Sequence, residues 1–290
     1  MKTQKSRIKR LFILAAYDPM GAGTVDAALM HHVRALAGHG DVIVTMDNDA
    51  PAAEQKKLRD AGAMATAATR HGEYDFGSYK RGYLYARDHD LLKNYDVVYL
   101  VNDSVYGPMF DMAPLLQRME GLNADVFGPA FKEHRHHPHV ESWFMGLRPA
   151  IFTAPWFDQF MTSITKQADK GMVILLYEDG LANLIRAHGF RADGAYHVRG
   201  RGSYNQIRHL FRRGMPFMKK MSLRRKQGAL GNQIRYVLEY ADAPARDAVV
   251  AGMRRVYGDA YLSWLMTRNP VRILYRHIKH FVRKVFIEGF

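Results

Sequence analysis

The stretch Tyr95-Asp96-Val97-Val98-Tyr99-Leu100-Val101-Asn102-Asp103-Ser104 decides the fold. Asp96 to Val101 is an unbroken apolar, β-rich run, the clearest strand in the chain, and it stops dead at Asn102-Asp103-Ser104. A carboxylate at the carboxyl end of a buried strand can ligate a divalent cation. Asn102 and Ser104 beside it can hydrogen-bond a polar ligand. Read alone, Asp103 fits a simple cap on a turn equally well.

The same strand-then-polar pattern recurs upstream. Leu11 to Ala16 reads as a buried strand ending at the turn Tyr17-Asp18-Pro19-Met20-Gly21, and Val25 to Ala37 has helical spacing. Asp41 to Met46 is a second strand, Ala52 to Ala61 a helix, and Ala63 to Ala68 a weak strand. A loop around Asp75 to Lys80 turns into a helix reaching about Leu92. Downstream, Asp111 to Met119 is helical, and Ala124 to Gly128 and Val140 to Leu147 are strand candidates. Ile151 to Ala168 reads as largely helical, and Glu178 to His188 as a helix closing at Gly189. Alternating strands and helices predict an α/β fold with a mostly parallel sheet, whose ligands sit at the carboxyl ends of strands.

Composition bounds the rest. The chain has 290 residues, 48% hydrophobic and 24% charged, enough to bury a core. It has no cysteine, which excludes disulfides and Cys-ligated zinc or iron–sulfur clusters. The basic start Met1 to Arg10 followed by Leu11 to Ala16 is too short for a signal peptide, and Asp18 follows at once. No run reaches the ~18 apolar residues of a spanning helix, so a soluble or peripheral protein is expected.

Net charge is +14, unevenly spread: no acidic residue lies between Asp193 and Glu239, where Arg199, Arg201, Lys219, Lys220, Arg225 and Lys226 are among the basic ones. Such asymmetry implies an anionic partner. Composition turns basic near Val198 to Gly202, dividing the chain into 1–198, a basic and mainly helical 199–268, and 269–290. Asn269-Pro270 is a helix-start signal. In the helix beyond it, Leu274, Ile278, Phe281, Val282 and Val285 would share one face, and Arg272, Arg276, Lys279 and Arg283 the other, a pattern suited to an anionic membrane surface.

Four further groups can carry chemistry. Tyr17-Asp18 can stack on a base and accept a hydrogen bond from it, or be a plain turn. Arg70 to Lys80 is a polar, two-glycine loop in which Arg70 or Lys80 can meet phosphate. Glu178-Asp179 either opens a helix, where the dipole favours carboxylates, or supplies a general base. The run His134 to His139 reads as an exposed loop, with His139 and His197 the histidines to consider for a site.

Taken together these segments resemble the rhamnan synthesis protein F family, glycosyltransferases of bacterial surface-polysaccharide assembly. The matching stretches are Ala15 to Asp18, Tyr74-Asp75-Phe76-Gly77-Ser78-Tyr79-Lys80, Tyr95 to Pro108, Val140-Glu141-Ser142-Trp143-Phe144, Tyr177-Glu178 with Gly189-Phe190, and Met215-Pro216-Phe217-Met218-Lys219. The resemblance implies a GT-A-like, Rossmann-like domain that transfers a sugar, often rhamnose, from a nucleotide-activated donor. It makes Tyr17, Asp18, Arg70, Asp75, Ser78, Tyr79, Lys80, Asn102, Ser104 and Ser142 candidate substrate contacts. It makes Asp103 the acid facing diphosphate or a metal (Mn2+ or Mg2+), and Glu178 or Asp179 the base of an inverting reaction; His197, from the residues alone, is the further candidate metal ligand. The chain departs from the family pattern at Thr69 to Glu73, where members show Arg-Glu-Asn, and at Glu141-Ser142, where they show Gln-Ser. Its acidic motif is not a full Asp-x-Asp.

The expected partners are a nucleotide-sugar donor, a glycan or lipid-linked glycan acceptor, and the anionic inner face of the plasma membrane, with the chain cytoplasmic and peripheral. Two alternatives stand beside this reading. One is nucleic-acid binding, suggested by a pI near 9.8 but without a recognised module. The other is a carbohydrate-binding relative that kept the fold without catalysis.

Overall fold

The computed structural model describes residues 8–135, 137–224 and 230–286, the side chains of 280, 281 and 283–286 excepted. Expectations for the chain up to residue 7, for His136, Arg225 and Lys226, for the side chains of Phe281, Arg283 and Val285, and for residues 287–290 lie outside the described residues.

The first half alternates strand and helix: β1 (Arg10–Ala16), α1 (Ala27–Ala37), β2 (Asp41–Met46), α2 (Ala52–Asp60), β3 (Ala65–Ala68), α3 (Tyr74–Asp88) and β4 (Val97–Asn102). Then come β5 (Val105–Tyr106), α4 (Ala113–Glu120), β6 (Val126–Lys132), β7 (His139–Val140), β8 (Phe144–Leu147), α5 (Pro149–Phe152), α6 (Pro155–Ser163), α7 (Lys170–Val173), α8 (Asp179–Ala187) and β9 (Ala192–Val198). The remainder is α9 (Gly202–Asn205), α10 (Ile207–Arg212), β10 (Met218–Lys219), α11 (Met221–Arg224), α12 (Leu230–Tyr240), α13 (Ala243–Tyr257), α14 (Asp259–Leu265) and α15 (Pro270–Phe286).

Eight strands form one sheet in the order β3-β2-β1-β4-β8-β6-β7, with β9 pairing β6. The β3-β2-β1-β4 half is parallel, β8 runs antiparallel between β4 and β6, and β9 is parallel to β6. The expected α/β architecture is therefore present. Its cause is visible in β1, where side chains alternate faces. Phe12 and Leu14 pack with Leu29, Val33 and Leu36 of α1, while Leu11 and Ile13 pack with Phe76, Tyr79 and Tyr83 of α3. Strands covered on both faces must be apolar throughout, which is why β1 and β4 read as continuous runs. Each such buried Leu, Ile or Phe contributes roughly 1.5–3 kcal/mol, enough to override local propensity.

Several expectations need correction. The loop expected around Asp75 to Lys80 is already helical, inside α3 (Tyr74–Asp88). Val140 to Leu147 is not one strand: β7 and β8 are separated by a turn in which the buried Glu141 carboxylate accepts from Trp143 Nε1 (2.7 Å) and Ser203 Oγ (2.8 Å). The helix foreseen over Ile151 to Ala168 is two helices restarting at Pro155, followed by a loop fixed by Tyr177, whose hydroxyl accepts from Thr165 N (2.9 Å) and donates to Thr165 O (3.1 Å). The helix foreseen over Glu178 to His188 is present as α8, but Glu178 and Asp179 do not stand at a free helix start. The helix begins at Lys170, capped by the Asp169 carboxylate, and passes through a π-helical turn, Ile174–Glu178, so the dipole does not explain these acids. In addition, β9 is a strand for which the sequence raised no expectation.

Beyond β9 the chain returns to the body. β10 pairs antiparallel with β5, and Met215 and Phe217 enter the core shared with Trp143 and Phe144. Asn269 caps α15 as expected, its Oδ1 accepting from Val271 N (2.9 Å) and Arg272 N (3.2 Å). The faces of α15 are not as expected, however. Arg276 is the buried position, donating to the carbonyls of Trp264 and Leu265, while Leu274 and Ile278 are exposed. No helix among the described residues is long and apolar enough to cross a membrane.

Candidate active site

The parallel register sets the site. Ala15 lies opposite Asn102 and Ala16 opposite Met46, so Tyr17, Asp47 and Asp103 leave the sheet side by side. At these carboxyl ends opens a cavity of about 620 Å3. Of the expected residues it gathers Tyr17, Arg70, Asp75, Ser78, Asn102, Asp103 and Ser104. Asp47, His71, Gly72, Lys166 and Lys170 complete its wall. Asp47 organises the Arg70 loop: its Oδ1 accepts from the backbone N–H of His71 and of Gly72, each at 2.8 Å, and Arg70 Nη1 lies 3.3 Å from Oδ2. Gly72 turns there at φ +70°, a conformation glycine adopts without strain. Arg70 lies over the Tyr17 ring at 5.3 Å, forming one platform.

A second cavity of about 280 Å3 shares Asp75, Asn102, Ser104 and Lys170 with the first. It is lined further by Ser142, Trp143, Glu178, Asp179, His139 and Lys219. Asn102 is the partition. Its Nδ2 donates to Asp75 Oδ2 (3.0 Å) and its Oδ1 accepts from Ser104 N (3.1 Å), fixing the amide's orientation. Burial pushes the Asp75 carboxyl above its ordinary value, with Lys170 pulling the other way. Glu178 Oε1 accepts from Ser142 N (3.2 Å), and His139 sits 3.9 Å from both Glu178 and Asp179. His139 Nδ1 donates to the His137 carbonyl (2.8 Å), which leaves Nε2 facing Glu178. Here is a carboxylate positioned by a backbone N–H at the edge of a polar cavity, within reach of a group bound there.

Three expected contacts lie elsewhere. Lys80 Nζ donates to the Ile164 carbonyl (2.7 Å), tying α3 to the loop after α6. Tyr79 is fully buried and supports the site from behind, its hydroxyl donating to the Ser142 carbonyl (2.8 Å). Asp18 accepts from Met20 N and Thr24 N (3.0 Å each) and from Arg255 (2.8 Å), so it fixes the loop after β1. Burial would raise its carboxyl, but Arg255 and those N–H groups hold it below the ordinary value. Asp18 faces a third cavity, about 320 Å3, that meets the first at Tyr17 and Asp103.

His197, the expected partner of Asp103 for metal, is on β9 with Glu133 (3.1 Å) and Asp193 (2.8 Å), in a surface depression that Asp103 does not line. A divalent cation needs several oxygen or nitrogen ligands. The strand end offers the Asp103 carboxylate, and its Oδ2 already accepts from Lys220 Nζ at 3.1 Å. The Asp47 and Asp18 carboxylates are committed to backbone N–H and to arginine. Among the described residues no group of three or more His, Asp or Glu is placed to hold a metal ion. The described residues here do not by themselves make a resident site for a divalent cation.

Lys219 and Lys220 were missed as site residues. The signal was available: Met215 to Lys219 was a matching stretch, and consecutive residues of a strand point to opposite faces. Lys219 enters the second cavity, its ammonium 3.8 Å from Glu141 and 4.9 Å from the Trp143 ring centre. Burial lowers its pKa to about 8 against the pull of Glu141. Lys220 points instead to Asp103.

Comparison with known proteins adds the following. The family described as Rhamnan synthesis protein F matches residues 42–284. No curated protein matches the chain. Among solved structures, one similar protein is assigned as a nucleotide-diphospho-sugar transferase of Desulfovibrio desulfuricans G20. It is 15% identical with a TM-score of 0.38, over 82% of this chain and 97% of that one. Another is S. aureus TarS 1–349 in complex with UDP, 12% identical with a TM-score of 0.37, over 89% of this chain and 90% of that one. Both likenesses are distant.

Proposed function

This chain belongs to the rhamnan synthesis protein F family of glycosyltransferases, and from that premise we propose that its two joined cavities hold a nucleotide-sugar donor and a sugar acceptor. The observation that carries this is their shared wall. Asp75, Asn102 and Ser104 face both, so a donor sugar lying there meets an acceptor beside Glu178. The Tyr17–Arg70 platform takes the base, and the Asp103 end of the strand takes the diphosphate, in a GT-A-like arrangement.

In the reaction, an acceptor hydroxyl oxygen forms a bond to the anomeric carbon. The bond from that carbon to the diphosphate oxygen breaks, and the electron pair leaves with the nucleoside diphosphate. The hydroxyl proton passes to the Glu178 carboxylate. Attack opposite the leaving group inverts the anomeric centre. Rhamnose is the first donor sugar to try, and a surface polysaccharide or lipopolysaccharide glycan the acceptor class. The test is release of nucleoside diphosphate from a panel of nucleotide-sugars by the purified chain. Wild type releases it, and Asp103→Ala, which removes the carboxylate that positions the Lys220 ammonium, falls by roughly tenfold or more. Unchanged turnover in Asp103→Ala would remove that residue from the site.

The exposed apolar side chains favour a membrane as the working surface. Val271, Leu274, Tyr275, Ile278 and Val282 of α15 are all more than 40% exposed. Met172, Ile174, Leu175 and Leu176 are exposed beside the acceptor cavity, which Ile174 lines. With Arg272 and Lys279 on α15, this suits the anionic inner face of the plasma membrane. The chain is expected to sediment with phosphatidylglycerol vesicles and not with phosphatidylcholine ones. Leu274→Asp with Ile278→Asp should lower the bound fraction by about tenfold or more. Equal binding to neutral vesicles would contradict an anionic surface.

A further inference from the structure

We infer that the donor diphosphate is bound by cations of the chain itself, with Lys220 as the diphosphate-binding residue, and that this binding needs no divalent cation. The inference rests on the donor reading above and adds the group that meets the phosphates.

Lys220 lines the third cavity and pairs with Asp103, which lines both the first and the third, and it lies over the Tyr106 ring at 5.3 Å. It is held from several sides. Its N–H donates to the Ser104 carbonyl (2.8 Å), its own carbonyl accepts from the Tyr257 hydroxyl (3.4 Å), and the preceding Lys219 pairs with Val105 in the β5–β10 ladder. The side chain is 28% exposed, so the ammonium is reachable. An ammonium has three donors, and Asp103 takes one of them; the others can serve phosphate oxygens.

The balance of charge around it favours an anion. Each carboxylate at the strand ends already has a partner: Asp47 has two backbone N–H groups and Arg70, Asp18 has Arg255, and Asp103 has Lys220 itself. The cations are less committed. Arg224, one helical turn beyond Lys220 on the same cavity, and Lys166 and Lys170 on the first cavity make no ion pair among the described residues. An arriving diphosphate therefore finds unpaired positive charge, and of the acids in the first cavity Asp75, held by the neutral Asn102 amide, is the one without a cationic partner. A metal ion entering at Asp103 would instead have to displace the ammonium and stand beside it.

Binding of UDP, GDP and dTDP to the full chain by titration calorimetry tests this, in EDTA and in Mn2+. For the diphosphate bound best, the affinity in EDTA should lie within about threefold of that in Mn2+. Lys220→Met should weaken it by roughly 10- to 100-fold in both, the loss of one charge-assisted hydrogen bond, and Lys220→Arg should recover most of it. Lys220→Gln and the melting temperature of each variant separate loss of binding from loss of fold. Binding that requires Mn2+, or that folded Lys220→Met retains, overturns this inference and leaves the donor reading standing. Failure of wild type to bind any of the three, with or without Mn2+, overturns both.

Discussion

Glu178→Gln is expected to lower sugar-transfer turnover by about three orders of magnitude while donor affinity stays within about twofold, because a positioned general base contributes typically 10²–10⁴-fold. The amide keeps the size and the hydrogen bond from Ser142 N, so the cavity persists and only the proton acceptor is removed. Asp179 is next along the chain, shares His139 as a neighbour and lines the same cavity, so Asp179→Asn is the control. It should cost about tenfold or less by disturbing His139 alone. If the large loss falls on Asp179→Asn instead, the base is Asp179. If neither variant loses turnover, the second cavity is not where the acceptor is deprotonated.

The second large effect is on stability, and it comes from His32. This residue sits on α1, is 2% exposed, lies against the Phe217 ring at 5.6 Å, and its Nε2 finds no hydrogen-bond partner. Burial lowers its pKa to about 3 from the ordinary 6.5, with Lys220 and His31 adding repulsion. Above pH 6.5 the ring is neutral in both folded and unfolded chains. Below it, the unfolded chain takes up a proton that the folded one refuses, so stability falls as pH falls until about pH 3. Between pH 6.5 and pH 4 the loss from this one group is about 3 kcal/mol. Urea unfolding of wild type and His32→Leu at pH 7 and pH 4 checks it. The variant should gain by about that amount relative to wild type at the lower pH. An equal stability difference at both values would show that His32 does not drive acid sensitivity. Because Phe217 is two residues before Lys219, acid loosening here should also release β10 from the site.

The sequence made the parallel half of the sheet legible for a physical reason. Strands covered on both faces must be apolar along their length, and Leu11 to Ala16 and Val97 to Val101 could hardly be anything else. Strand ends in such a sheet converge, so Tyr17, Asn102 and Asp103 could be grouped before any contact was known. β9 was not legible, because Ala192 to Val198 carries Asp193, Gly194 and His197 and is recruited by pairing with β6 rather than by its own pattern.

Side-chain direction was the other obstacle. Tyr79 and Lys80 read as a loop turning into a helix but lie inside α3, and the helix phase sends Lys80 to Ile164. The same holds for α15, where periodicity sorted charged from apolar residues correctly but could not say which side the body would take. Arg276 went inward because the carbonyls at the end of α14 were waiting for donors. Lys219 and Lys220 depended on a two-residue ladder with β5, a pairing across more than 100 residues of chain that no local pattern announces.

The measurement closest to the central claim is thermal unfolding of the full chain with a panel of nucleotide-sugars, with and without Mn2+. A ligand that binds only the folded state at about 100 times its Kd adds roughly 2.7 kcal/mol of stability. At least one nucleotide-sugar should therefore raise the Tm by several degrees, with a smaller rise in Lys220→Met. A Tm unmoved by every nucleotide-sugar but raised by DNA or RNA would contradict a glycosyl donor site and return the basic surface to nucleic-acid binding.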